Sequence, residues 1–150
     1  MTKDLGRAKI WYGRAAEQGN VKAMHNLAVL AAGSKGAAPD YLTAAHWFGE
    51  AAARGLADSQ FNLAVLHESG LGVSQDPAMA YQWFTLAARS GDKEAVRRRD
   101  LVKAQLPIQR VLEVEKQVAA WMPKSSDSLA NDARAAGEAW KSRESADDNS

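Results

Sequence analysis

Residues 44–72 read AAHWFGEAAARGLADSQFNLAVLHESGLG, and the periodicity of this stretch decides the fold. Ala44, Trp47, Phe48, Ala51 and Ala52 fall at i, i+3, i+4, i+7 and i+8, one face of an amphipathic helix. Gly55 then ends it, because the left-handed conformation that closes a helix costs any other residue roughly 1–2 kcal/mol. Ser59, Asn62, Leu63 and Leu66 begin the same rhythm again, so a second helix follows. Gly70 and Gly72 turn the chain, Asp76 is placed to cap the next helix and Pro77 suits its first turn. The unit is a helical hairpin.

Outward from this unit the pattern recurs. Residues 8–19 read AKIWYGRAAEQG and residues 80–91 read AYQWFTLAARSG, which places Trp11, Trp47 and Trp83 at a fixed spacing of 36 residues. A period of this length indicates stacked repeats rather than a sheet or barrel. The paired alanines permit close helix approach. The adjacent aromatic pairs, Trp11 and Tyr12, Trp47 and Phe48, Trp83 and Phe84, are expected as structural anchors filling the space beside them. One hairpin cannot cover its own apolar face, so neighbours must stack. The predicted architecture is all-α, an α-solenoid of three helical-hairpin repeats over residues 5–105.

Departures from the repeat are also informative. The first repeat has AAGSKGAAPD where the second has HESGLGVSQD, so its loop should be looser. In the third, Asn62-Leu63-Ala64 becomes Arg98-Arg99-Asp100, which charges the seam that a fourth hairpin would use. Residues 106–122 then read as a capping helix with Ile108, Val111, Leu112, Val118 and Ala119 on its buried stripe, and Arg99 or Asp100 pairing with its Arg110, Glu113 or Glu115. Residues 123–150 are polar and read as a flexible tail, in which Leu129, Ala133, Ala136 and Trp140 have the spacing of one short amphipathic helix.

Composition narrows the function classes. Lys and Arg number 19 against 18 Asp and Glu, a net charge of +1, so no general field draws nucleic acid or an anionic membrane. The arginines of residues 97–99 point about 100° apart on a helix and do not form one basic stripe. Cysteine is absent, which removes disulfide and thiolate chemistry. His25, His46 and His67 occupy non-equivalent repeat positions and lack the spacing that converges ligands on zinc, so no metal or cofactor is expected. Carboxylates scatter over helix exteriors and loops, which argues against an enzyme. No run reaches the length of a membrane span and residues 1–11 lack an apolar leader core. The expectation is a cytoplasmic chain if it is complete and a periplasmic one if it is part of an envelope protein.

The pattern A-x-x-W-[YF]-x-x-A-A-x-x-G-x-x-x-[AS]-x-x-N-L-A-x-L, followed by G-x-G-V-x-x-D, resembles the Sel1-like repeat, a relative of the tetratricopeptide repeat. Residues 44–76 match it throughout. The third repeat keeps Ala80, Trp83, Phe84, Ala87, Ala88, Gly91 and Ala95 but loses Asn-Leu-Ala. The resemblance implies a right-handed α-solenoid that serves as an adaptor for protein partners. The ending AVRRRDLVKAQL…VAAWMPK also resembles the last repeats of alphaproteobacterial polar-localisation factors, although this chain carries neither their coiled coil nor their membrane anchor.

The expected function is therefore a non-catalytic scaffold that binds a protein or peptide on the concave face lined by the first helix of each hairpin. Ile10, Arg14 and Glu17, then His46 and Glu50, then Gln82, Leu86 and Arg89 stand off the core stripe and vary while the core positions repeat, as a recognition surface requires. The alternative is a peptidoglycan- or small-ligand-binding repeat domain, which would need a groove of exposed aromatics.

Overall fold

In a computed structural model the described residues are 2–33 and 38–125, and they form seven helices and no strand. In chain order these are α1 (Thr2–Glu17), α2 (Val21–Gly33), α3 (Tyr41–Ala53), α4 (Ala57–Ser69), α5 (Pro77–Ala88), α6 (Lys93–Lys103) and α7 (Ile108–Ala120). The expected tail helix at Leu129, Ala133, Ala136 and Trp140 lies outside the described residues.

Local chemistry sets the helix ends. Gly19, Gly55 and Gly91, one per repeat, all take positive φ directly after the first helix. Asp40 accepts from the Thr43 amide and Asp76 from the Ala78 and Met79 amides, so the repeated aspartate caps the first helix of the next unit. Gly72 is fixed twice over. Its φ is +72°, and a Cβ there would overlap the Tyr41 carbonyl oxygen where the turn crosses the start of α3.

Packing follows the 36-residue register. Phe48 and Phe84 are 3% and 0% exposed, and Ala51 and Ala87 are 0% and 2%. Onto each of these rings the preceding second helix sets an aromatic edge. His25 of α2 meets Phe48 at 5.5 Å between centroids, and Phe61 of α4, its repeat equivalent, meets Phe84 at 5.4 Å. The His25 Nδ1 also lies 2.7 Å from the Ser59 hydroxyl, which satisfies a serine that is 0% exposed. These contacts explain why α2 packs against α3, and α4 against α5, more extensively than either does against the helix it shares a hairpin with.

The C-terminal region departs from its sequence reading in two ways. The buried stripe of α7 is Val111, Val114 and Val118, while Ile108 and Leu112 are 68% and 58% exposed and Ala119 is exposed. Val111 and Val118 of the expected stripe are buried, but Ile108, Leu112 and Ala119 lie about 110° round the helix from the Val111–Val114–Val118 face through which α7 docks onto α5. The expected charge pairing across to α7 is also different. Arg99 and Asp100 bond each other at 3.0 Å and Arg110 bonds Glu113 within α7, leaving Lys103 to Glu115 at 3.5 Å as the cross-link from α6. Neighbouring opposite charges on one helix satisfied each other first.

Candidate functional site

The first helices α1, α3 and α5 carry the varying positions, and the structure divides them. In the first two repeats Ile10 is 57% exposed, and Arg14, Glu17 and His46 are exposed. Glu50 is half-buried and bonded at 2.6 Å to Arg54, one turn further along α3. In the third repeat Gln82 is half-buried, Leu86 is only 3% exposed and the Arg89 Nη2 donates to the Val118 carbonyl at 3.0 Å. The expectation that Leu86 belongs to an open recognition surface is therefore corrected. It joins the core cluster that contains the α7 valines, because α7 lies over this part of α5.

The covering is extensive and polar as well as apolar. The Tyr81 hydroxyl donates to Glu115 Oε1 at 2.8 Å, and Trp121 meets Trp83 edge-to-face at 6.3 Å. Beyond α7 the backbone is extended, and the Lys124 amide donates at 2.8 Å to the carbonyl of Ala53, the last residue of α3. The chain's own residues 121–124 thus cross from α5 to the end of α3. Burial pushes the Tyr81 hydroxyl up to about 12, with the Glu115 carboxylate adding to the shift, and the hydrogen bond from Tyr81 holds Glu115 below its ordinary value. Both shifts reflect the joint between α5 and α7.

The aromatic pairs are graded along the array. Trp83 is 8% exposed and Trp47 is half-buried, but Trp11 is 68% exposed, which corrects its expected role as a buried anchor. Tyr12 is half-buried where Phe48 and Phe84 are buried. A cleft of about 330 Å³ opens beside them, lined by Trp11, Tyr12, Ala15, Lys22, Ala23 and Asn26 among others. Leu42, 76% exposed, was not singled out by sequence reasoning. Its signal was available, since its equivalent in the third repeat is the small, buried Ala78.

Among the described residues no group of three or more His, Asp or Glu side chains is placed to hold a metal ion. His25 is engaged with Ser59 and Phe48, His46 stacks edge-on to Trp47 at 4.8 Å, and burial holds His67 below the ordinary histidine value. The three arginines of α6 are engaged separately, Arg97 with Glu94, Arg98 with Glu68 and over the Phe84 ring, and Arg99 with Asp100. Among the described residues no helix is long and apolar enough to cross a membrane.

Successive helical pairs stacked in a constant register, with varied side chains on a repeated first-helix frame, define a helical-repeat protein of the α-solenoid class. The Sel1 repeat profile matches residues 1–20, 21–56 and 57–92, and the chain belongs to the Sel1 repeat family. The fold is similar to that of a protective antigen of uropathogenic Escherichia coli with an SLR fold, at TM-score 0.70 and 26% identity over 87% of this chain and 27% of that one. It is also similar to a Sel1 repeat protein from Oxalobacter formigenes, at TM-score 0.58 and 31% identity over 62% of this chain and 38% of that one. The chain thus spans well under half the length of either protein. No curated protein matches it significantly. Sel1 repeat proteins are generally non-catalytic scaffolds for protein interaction.

Proposed function

We propose that this chain is a non-catalytic adaptor that holds a protein or peptide segment on the first-helix face of its first two repeats. The observation that carries this reading is the division of that face. Over α5 it is occupied by α7 and residues 121–124, whereas among the described residues nothing covers Ile10, Arg14, Glu17, Leu42 and His46 on α1 and α3. These side chains combine apolar surface with charges of both signs. Such a mixture suits a partner with apolar anchors and a polar rim better than a nucleic acid.

The first-helix frame supports recognition because its backbone is held by the repeat register while its side chains vary. The test is to change Arg14→Glu, Glu17→Arg and His46→Glu together, then measure the melting temperature and partner recovery by pull-down from the native host. Loss of partners that wild type recovers, at an unchanged melt, is expected. Unchanged recovery refutes the assignment to this face.

A further inference from the structure

We infer that His67 is a pH-sensitive latch on the turn that joins α4 to α5: the turn is closed around a neutral imidazole, and protonation of the ring releases residues 70–76. His67 lies in the last turn of α4, and its Nδ1 is buried with no hydrogen-bond partner. A neutral ring can leave a lone pair there, but the imidazolium carries a proton on both nitrogens and would bury an N–H without an acceptor. The turn has little slack to supply one. The Asp76 amide donates to the His67 carbonyl at 2.9 Å, the Gln75 side-chain amide donates to the Glu68 carbonyl at 3.0 Å, and Gly72 lies so close to the Tyr41 carbonyl oxygen that a Cβ would overlap it. One residue therefore closes the turn with its backbone and can open it with its ring.

The electrostatics agree. A hydrogen bond with the Ser74 backbone and the charge of Asp76 favour the cation, yet burial outweighs both and holds the ring below the ordinary histidine value. On the helices packed against α4, the other titratable groups are Tyr41, His46 and Glu50 of α3 and Tyr81 of α5. His46 rests on Trp47, Glu50 bonds Arg54 and Tyr81 bonds Glu115, while Glu68, beside the ring, bonds Arg98 of α6 and Asp58 lies at the far end of α4. Asp76 is the charge that acts on the imidazole. The repeat itself isolates the ring's part. In the first repeat the equivalent residue is Ala31, whose carbonyl accepts from the Asp40 amide at 2.7 Å, so the same backbone closure forms without a titratable side chain. Above about 6.5 the ring is neutral whether the turn is closed or open. Below that value the open turn takes up a proton that the closed turn disfavours, so opening increases as pH falls. Opening frees the Asp76 cap of α5 and the seat of Gly72 on α3, which loosens the third repeat against the second.

The latch does not depend on what the first-helix face binds. Its test follows the His67 ring by proton shifts and the backbone by amide hydrogen exchange, expressed as protection relative to an unstructured chain, in the full 150-residue protein. His67 is expected to titrate below about 6.5, and protection of the Asp76 amide to fall about three- to tenfold between about pH 7.5 and about pH 5.5, while the Asp40 amide keeps its protection. His67→Ala, which installs the residue of the first repeat, and His67→Gln should both fold and both lose this pH dependence at Asp76. A ring that titrates at its ordinary value, protection of Asp76 that does not change with pH, or the same loss of protection in the two variants each overturns the inference. So does an equal loss at Asp40 and Asp76, which would report global destabilisation, and so does failure of both variants to fold, since the ring would then be structural.

Discussion

Val114 lies at the centre of the α7 contact, 1% exposed, and Val114→Ala measures how independently that helix is held. Two methyl-sized groups leave the core, worth ~1.6 kcal/mol at ~0.8 per buried carbon. The cavity left behind adds to the cost, while alanine's better helix propensity returns about 0.5 kcal/mol. The net loss is about 1.5 kcal/mol, or roughly tenfold in an opening equilibrium. Because α7 packs principally on α5, the loss should fall on local opening of this helix rather than on the whole array. Native-state hydrogen exchange is the assay. Amides of α7 and the Lys124 amide, which is bonded to Ala53, should exchange roughly tenfold faster while those of α2 to α4 keep their rates. Equal acceleration across α2 to α7 would refute local docking, and unchanged α7 rates would refute the valine contact itself.

Two further perturbations address the core and the joint. Phe48→Ala removes the ring on which His25 rests and should cost about 3–5 kcal/mol, read as a lower denaturant midpoint; a midpoint equal to wild type would contradict its 3% exposure. Tyr81→Phe should cost about 1 kcal/mol at neutral pH, since the carboxylate it bonds is partly solvated. The folded state holds the Tyr81 proton to about 12 against an ordinary value near 10, so stability should fall as pH rises through that window. Tyrosinate absorbance should show one late-titrating group that Tyr81→Phe abolishes, and a wild-type titration with no such late step would show that the hydroxyl is not buried against Glu115.

Much of the fold was legible because its signals are local and repeated. Helix faces, glycine stops and aspartate caps depend on residues within one turn of each other, and three copies in phase made chance agreement improbable. What escaped was the direction in which α7 docks. The expected stripe held Val111 and Val118, which are buried, but its centre was set toward Ile108 and Leu112 instead of Val114 because all of these residues are apolar. Selection between them depends on a contact with α5, distant in sequence. The misplacement of Leu86 has the same origin, because the covering helix lies outside the repeat and no 36-residue comparison reveals it. Trp11 was misjudged for the opposite reason. Its repeat equivalents have neighbours, and equivalence in sequence was read as equivalence in burial.

The third repeat is closed off by α7 for a physical reason that bears on function. In α4, Leu63 and Ala64 are 5% and 0% exposed beneath α5, but their equivalents in α6 are Arg99 and Asp100, bonded to each other. A first-type helix docking there would bury both charges away from water, at a cost of several kcal/mol that their own pairing does not fully offset. The chain instead crosses to α5, where an apolar surface around Leu86 and Ala78 accepts the α7 valines. This crossing consumes the first-helix face of the third repeat in holding the chain's own residues. A charged edge refuses another helix.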